Sequence, residues 1–538
     1  MTTATPPVLV RNDRDPGRWV SLGVLVLAVL LVAVDATVLG LATPFISADL
    51  GPSGAQLLWI GDVYSFVLAG LLVSMGGLGD RIGRKRLLLA GAAAFGATSV
   101  LNAYATSPEL LIAARALMGV AGATLMPSTL ALIRNIFTDS RERSMAIGIW
   151  ASSVSAGAAV GPLAGGILLE HFWWGSVFLI NLPVMAVLVV AGMRLLPESK
   201  DPSPGPWDLP SAALSLVGMI GTVYAIKEAA AHGWSARVAV AAVAGAAALA
   251  WFVRRQRTLD SPLIDVRLFR HRGFSTAVAA DLLAVLGLAG LVFFLSQFFQ
   301  LVQGRSPLQA GLAELPATVG SIVTGLLAAM AVRRTSLRTV VAGGLLCMGL
   351  GLALLAGLHA GTGYPLLFGA LLLAGAGAGF AFATTSDMIV SMVPKEQAGA
   401  ASAVSETAYE LGAALGIALL GSITTGVYRG FATPDGVPAG AAAAAHDSIG
   451  GAAQAAAALG GPEGHALLAA ARDAFAAGLR CSAGIGAAVL LATAAAAWIL
   501  LKDHRPDTPG RPVPARGPAV SGIGTGGGSR RRRAPGSR

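Results

Sequence analysis

Charge is what this chain most lacks. Asp, Glu, Lys and Arg make up 12% of its 538 residues, whereas a soluble globular chain is nearer 25%. With 55% of the residues hydrophobic, a soluble enzyme is excluded, because so much apolar surface could not be hidden from water. Cysteine is nearly absent: Cys347 and Cys481 both sit in apolar runs, so neither a disulfide framework nor a metal-ligand spacing exists. The 7 histidines fall in loops, in tails or near the ends of apolar runs. Protons that cross this protein must therefore be carried by carboxylates. No GxxxxGK[ST] loop is present, and no polar segment is long enough for a nucleotide-binding domain, which argues against ATP as a direct energy source. No Ser/His, metal or cofactor constellation is found, and no enzymatic activity is expected.

What the chain has in abundance is apolar sequence in blocks of roughly 20 residues, the length that spans ~30 Å of hydrocarbon as a helix. Fourteen such runs are read, at about 19–41, 57–75, 87–104, 110–133, 145–168, 173–195, 207–226, 238–253, 275–302, 310–331, 339–358, 366–389, 401–427 and 476–501. The fold class is an all-α polytopic membrane protein. The first run lacks a small-residue cleavage site and is expected to be a retained span.

Between the second and third runs lies GGLGDRIGRKRLLL, residues 76–89, with five charges between Asp80 and Arg86. Hydrocarbon does not accept that density of charge, so this turn lies in water beside the membrane. If it is placed in the cytoplasm, most Lys and Arg fall on the same side, as positive-inside bias requires. Lys227, Arg237, Arg305, Arg429, Arg472 and Arg480 are left on the other side, and Arg115 is the only basic residue deep in a span. Both termini are then cytoplasmic. The net charge of +10 reflects this bias rather than nucleic-acid binding.

The organisation follows: an N-tail (1–18), a six-helix bundle (19–196), a linker plus two further helices (197–254), and a second six-helix bundle (255–501). The second bundle contains an Ala/Gly-rich extracellular loop, 428–475, with no assignable pattern. Residues 254–274 alternate basic and apolar positions and are expected on the membrane surface. The tail 502–538, with Arg530 to Arg533, is expected to be disordered.

Ionisable groups within spans are costly unless paired or hydrated, so each is a functional candidate. Asp35 lies two-thirds through the first span. Desolvation disfavours its charged form, which makes it a candidate proton carrier. Arg115 needs a partner or a wet cavity, and a structural Asp35–Arg115 salt bridge is the plain alternative. Glu406 and Glu410 stand one helical turn apart, so joint ionisation is disfavoured. Asp62, Asp281, Glu314 and Asp387 are weaker candidates, because solvation near a span end would explain them. The excess of acids over bases in the spans suits a cationic substrate. In the fifth span, Gly157, Gly161, Pro162, Gly165 and Gly166 allow close helix approach and a bend.

These residues resemble a known family. Gly76-x-Leu78-Gly79-Asp80-Arg81-x-Gly83-Arg84-Lys85 is similar to the signature loop between helices two and three of the major facilitator superfamily. Leu111 to Gly119 resembles its fourth-helix motif, with Arg115 in place of the family arginine and Met118 where a glutamine is usual. Gly157 to Gly166 looks like the antiporter motif of helix five. Asp35-Ala-Thr-Val, Asn181-Leu-Pro, and SPLIDVRLF from Ser261 resemble the fourteen-helix drug:proton antiporter branch. Glu406-Thr-Ala-Tyr-Glu410-Leu-Gly resembles an acidic helix-thirteen variant of its quaternary-ammonium exporters. The loop 331–338 is a faint second-half echo of the basic turn and lacks the aspartate.

The resemblance implies two six-helix bundles with two intervening helices and alternating access by rocking. It implies that Asp35 and a helix-thirteen acid serve proton coupling and cation recognition, and that Asp80 locks the cytoplasmic face in one state. Asp80 is expected to accept hydrogen bonds from a helix N-terminus, and Arg81 and Arg84 to pair across the bundle interface. The expected function is proton-coupled export of lipophilic, cationic drugs across a bacterial cytoplasmic membrane, by a monomer whose partners are substrate, protons and lipid. A dedicated exporter of one endogenous metabolite or lipid, and a non-transporting sensor or scaffold, are the alternatives.

Overall fold

In hydrocarbon no water can satisfy a free backbone N–H or C=O, so each apolar run closes its hydrogen bonds on itself as a helix. The computed structural model describes residues 17–200, 208–259, 262–263, 266–393 and 398–501. Most of the N-tail, part of the linker, part of SPLIDVRLF and the arginine-bearing tail lie outside the described residues.

The N-terminal half comprises α1 (Gly17–Leu50), α2 (Gly54–Ile82), α3 (Arg84–Ala103), α4 (Pro108–Ile136), α5 (Ser140–His171), and a sixth span broken into α6 (Ser176–Leu179) and α7 (Asn181–Leu195). Two intervening helices follow, α8 (Leu209–His232) and α9 (Ala236–Gln256). The C-terminal half comprises α10 (Arg272–Gln297), which continues in a π-helical turn to Val302, α11 (Pro307–Arg334), α12 (Leu337–Leu355), α13 (Tyr364–Ser391), α14 (Ala398–Tyr428), α15 (Ala439–Asp447), α16 (Ile449–Leu459) and α17 (Gly461–Leu500). Among the described residues, 14 helical segments are long and apolar enough to cross a membrane.

Helix starts are written in the sequence. Ser53 and Gln56 form a capping box at α2, and Ser306 and Gln309 form one at α11. Each satisfies two otherwise orphaned backbone donors.

The Ala/Gly-rich stretch is not an unstructured loop. It holds α15 and α16, and the last span begins within it, at Gly461 rather than near 476. Alanine carries the best helix propensity, so the same composition that blurred any amphipathic pattern makes helices. The third correction concerns α8. It does not stop at 226 but runs to His232, where Gly233 takes φ 78° and ends it.

The halves meet along two seams, α2 with α14 and α5 with α11. At the end remote from the basic turn they are joined by named contacts. Gln300 Nε2 donates to the Leu41 carbonyl at 3.1 Å, Gln454 Nε2 to the Ser47 carbonyl at 2.8 Å, and Ser306 to Glu170. Asp447 joins that end too: it accepts from the Gly54 amide at 3.4 Å and pairs with Arg429 at 3.2 Å. The two halves are closed there.

The α5 motif explains its own composition. A Cβ at Gly157 would overlap the Leu30 carbonyl, at Gly161 the Thr37 hydroxyl, and at Gly165 the Val38 side chain. These three glycines let α5 lie directly on α1. On the other side, a Cβ at Gly166 would sit 2.7 Å from Leu308 Cα, and Gly311 of α11 approaches the Pro162 carbonyl. One motif therefore packs α5 within its half and across the seam.

Candidate functional site

Asp35 is carried to mid-span by α1, and there it is buried, 1% exposed. Its Oδ2 pairs with Arg115 Nη1 of α4 at 2.9 Å. Its Oδ1 accepts from Asn181 Nδ2 at 3.2 Å, and that amide also donates to Ser99 Oγ at 3.1 Å. Asn181 opens α7 at the break in the sixth span, so the Asn-Leu-Pro signature delivers a donor to Asp35. Arg115 is completed by the Ile60 carbonyl, 3.2 Å from Nε, and by the Tyr64 ring, 4.8 Å away. Five helices thus converge on one charge pair. In a dry interior such a pair persists only when its remaining donors and acceptors are also met.

Asp62 is fully buried on α2 rather than solvated at a span end. It pairs with Lys227 of α8 at 2.7 Å. Lys227 is therefore not an exposed loop residue, and Arg115 is not the only basic group deep in a span: Lys227 is 3% exposed. The clue was available in the sequence. Residues 227–232, KEAAAH, continue a helix up to a glycine stop.

Asp281 and Glu314 are also buried, 2% and 8% exposed, which removes solvation as their explanation. Asp281 of α10 accepts from Thr385 Oγ1 of α13 and Ser405 Oγ of α14, both at 3.1 Å. Glu314 of α11 is buried with its Oε1 lacking a hydrogen-bond partner among the described residues. Asp387 is exposed and does not join the cluster.

Glu406 and Glu410 differ. Glu410 is 6% exposed. It lies on α14, which packs against α2 across the seam. Glu406 is half-buried, one helical turn before Glu410 on α14. Asp35 and Glu410 therefore lie in opposite halves that meet through the α2–α14 contact, and Arg115 pairs with Asp35. Tyr64, Ser99 and Asn181 are the polar partners that residue type alone did not single out.

The basic turn is built within its own half. Gly83 takes φ 113°, a conformation open to glycine. Asp80 pairs with Arg84 at 2.7 Å, Arg84 Nη1 reaches Ser199 Oγ at 3.3 Å, and Lys85 Nζ donates to the Met193 and Leu196 carbonyls, both at 2.8 Å. Arg81 is exposed. Arg84 does not pair across the bundle interface, and Asp80 holds the first arginine of α3 instead of bare helix amides. The physical reason is the closure at the opposite end, which leaves the turn's groups to neighbours in their own half. In the echo turn, Arg338 lies over the Trp498 ring at 4.1 Å. Among the described residues, no group of three or more His, Cys, Asp or Glu is placed to hold a metal ion.

Comparison with known proteins places this arrangement. The profile described as Major Facilitator Superfamily matches residues 25–417. The multidrug efflux pump LfrA of Mycolicibacterium smegmatis is 48% identical over 493 residues, covering 91% of this chain and 98% of that protein. The methyl viologen resistance protein SmvA of Salmonella typhimurium is 39% identical over 489 residues, covering 90% and 98%. Among solved structures, a bacterial homolog of the human lysosomal transporter Spinster superimposes with TM-score 0.65 at 18% identity, covering 90% of this chain and 97% of that one.

Proposed function

The chain belongs to the major facilitator superfamily, and from that premise we propose that it exports lipophilic, cationic drugs in exchange for protons. It is a non-enzymatic, multi-pass protein of a bacterial plasma membrane. The observation that carries the proposal is the buried Asp35–Arg115 pair of one half, with the buried Glu410 of the other half on α14 across the α2–α14 seam. Arg115 has one positive charge, held here by Asp35 and open to Glu410 when the halves move. A proton arriving at either acid frees the arginine for the other, and an organic cation arriving between the halves competes with both for the same negative charge.

The names of the relatives support the substrate class. One is a multidrug efflux pump and another confers methyl viologen resistance, and methyl viologen is an organic dication. With the basic turn and both termini in the cytoplasm, the closed end is the outer one. The cation then enters from the cytoplasm or inner leaflet, displaces protons and is carried outward. Protons from outside release it and reset the pump. The energy source is the proton gradient, with no cofactor, and the unit is a monomer in lipid.

The test is uptake of ethidium or methyl viologen into inverted membrane vesicles, with an inside-acid pH gradient imposed or collapsed by nigericin. Uptake that stops when the gradient collapses is expected. Uptake indifferent to the gradient overturns proton coupling, and no uptake of either cation overturns the substrate class.

A further inference from the structure

The helix α8 is joined to its two neighbours by unlike forces. To α2 it is joined by charge. Lys227 Nζ lies 2.7 Å from both carboxylate oxygens of Asp62, with side-chain exposures of 2% and 0%. The same ammonium stands 4.1 Å from the Trp59 ring centroid, and Tyr224 packs beside that tryptophan at 6.5 Å. Further along, a Cβ at Gly70 would touch Leu216 at 3.0 Å. To α14 the joint is apolar. Val223 of α8 shares a cluster with Phe66 of α2 and with Ala414 and Ala418 of α14.

These joints respond differently to relative motion. Smooth contacts between small apolar side chains inside a membrane separate and re-form cheaply, because lipid tails replace them. A desolvated ion pair does not, because separation leaves two bare charges in hydrocarbon. Since α2 and α14 belong to opposite halves, a change in their separation must part α8 from one of them.

We propose that α8 is a membrane-embedded brace that moves as part of the N-terminal half and parts from α14 in each transport cycle, with Lys227 as its positioning residue. The proposal rests on the alternating-access reading above. It gives one of the two intervening helices a mechanical role: α8 covers the α2–α14 seam while the outer end is closed and slides off α14 as that end opens. Lys227 contacts neither drug nor transported proton in this scheme.

Two cysteine pairs test it in a Cys347→Ser, Cys481→Ser background. Gly70→Cys with Leu216→Cys ties α8 to α2, and Val223→Cys with Ala418→Cys ties α8 to α14. Oxidised by copper phenanthroline, the first pair should leave ethidium transport within about twofold. The second should stop it by more than about tenfold, with full recovery in dithiothreitol, as expected when a link joins parts that must separate. Full transport through the 223–418 link, or arrest by the 70–216 link, overturns the proposal.

A third arm is independent of transport. Lys227→Met should slow formation of the 70–216 disulfide by about tenfold, and Lys227→Arg should restore it, as loss and recovery of a buried pair predict. An unchanged rate in Lys227→Met overturns the brace even if ethidium is not a substrate. Failure of ethidium transport in the reduced proteins would instead count against the function proposed above.

Discussion

The carboxylate of Asp35 and the guanidinium of Arg115, 80 residues apart, meet at 2.9 Å with side-chain exposures of 0% and 2%. Neither group is tolerable in the membrane without the other, so the pair holds the N-terminal half together. An ion pair that opens on protonation couples a chemical event to a change of shape.

Asp35→Asn removes the charge and leaves Arg115 buried with a weaker partner. A cost of about 3–5 kcal/mol in stability is expected for such a broken pair. Gradient-driven ethidium uptake should fall by well over about tenfold, while Asp35→Glu should retain part of it. Thermal unfolding in detergent and vesicle uptake measure the two effects separately. Normal uptake by Asp35→Asn would remove Asp35 from the coupling scheme.

Asn181→Ala takes one donor from Asp35 and one from Ser99 without altering net charge. A buried acceptor left unmet costs about 1–3 kcal/mol. The pair itself survives, so uptake should be lowered but still respond to the pH gradient. Abolished coupling in this variant would mean that Asn181 does more than position the carboxylate.

Glu410→Gln and Glu406→Gln should not be equivalent. Glu410 is the more buried, on the helix that meets α2 across the seam, so its loss should abolish coupled uptake. Glu406 is the less buried, so Glu406→Gln should change the ratio of methyl viologen to ethidium uptake more than the coupling. Initial rates for both cations, with and without the gradient, distinguish these outcomes.

Gly161→Val should damage the α1–α5 contact, because even a Cβ there would overlap the Thr37 hydroxyl. Overpacking of this kind costs about 1–3 kcal/mol or more. A lower melting temperature and reduced uptake are expected. Gly148→Ala, where a Cβ meets nothing within 4 Å, should be silent.

Acid should weaken the start of α8. Asp208 precedes that helix. Desolvation alone would raise its titration, but hydrogen bonds from Arg255 and Ser211 outweigh this and hold its carboxyl below the usual carboxylate range. A depressed folded-state value means that the contribution to stability is full above the unfolded value, about 3.9, and is lost as pH falls through the folded one. The melting temperature should therefore drop below about pH 4 in the parent. It should depend less on pH there in Asp208→Asn, which already lacks the charged pair.

The spans were legible because hydrocarbon imposes a length and forbids charge, and both constraints act on neighbours in sequence. The errors lie where that logic weakens. The Ala/Gly-rich stretch has high helix propensity but no sharp apolar face. Lys227 lies just beyond the most apolar part of its run, and there a charge looks like an exit from the membrane. Asp62 and Asp281 were similarly read as near a boundary. Depth along one helix does not tell whether a neighbouring helix covers it.

Hydropathy and charge along the chain were enough for the membrane class, the fourteen spans, the basic turn, and Asp35 and Arg115 as buried charges. The packing of the helices was needed to show that Asp35 takes Arg115 and Asn181, that Asp62 takes Lys227 from a helix 165 positions later, and that Glu410 is the more buried of its pair. Burial of a charge is a demand that each helix states locally. Which partner meets it depends on how the helices are rotated and stacked against one another, and hydropathy along the chain carries little of that angular information.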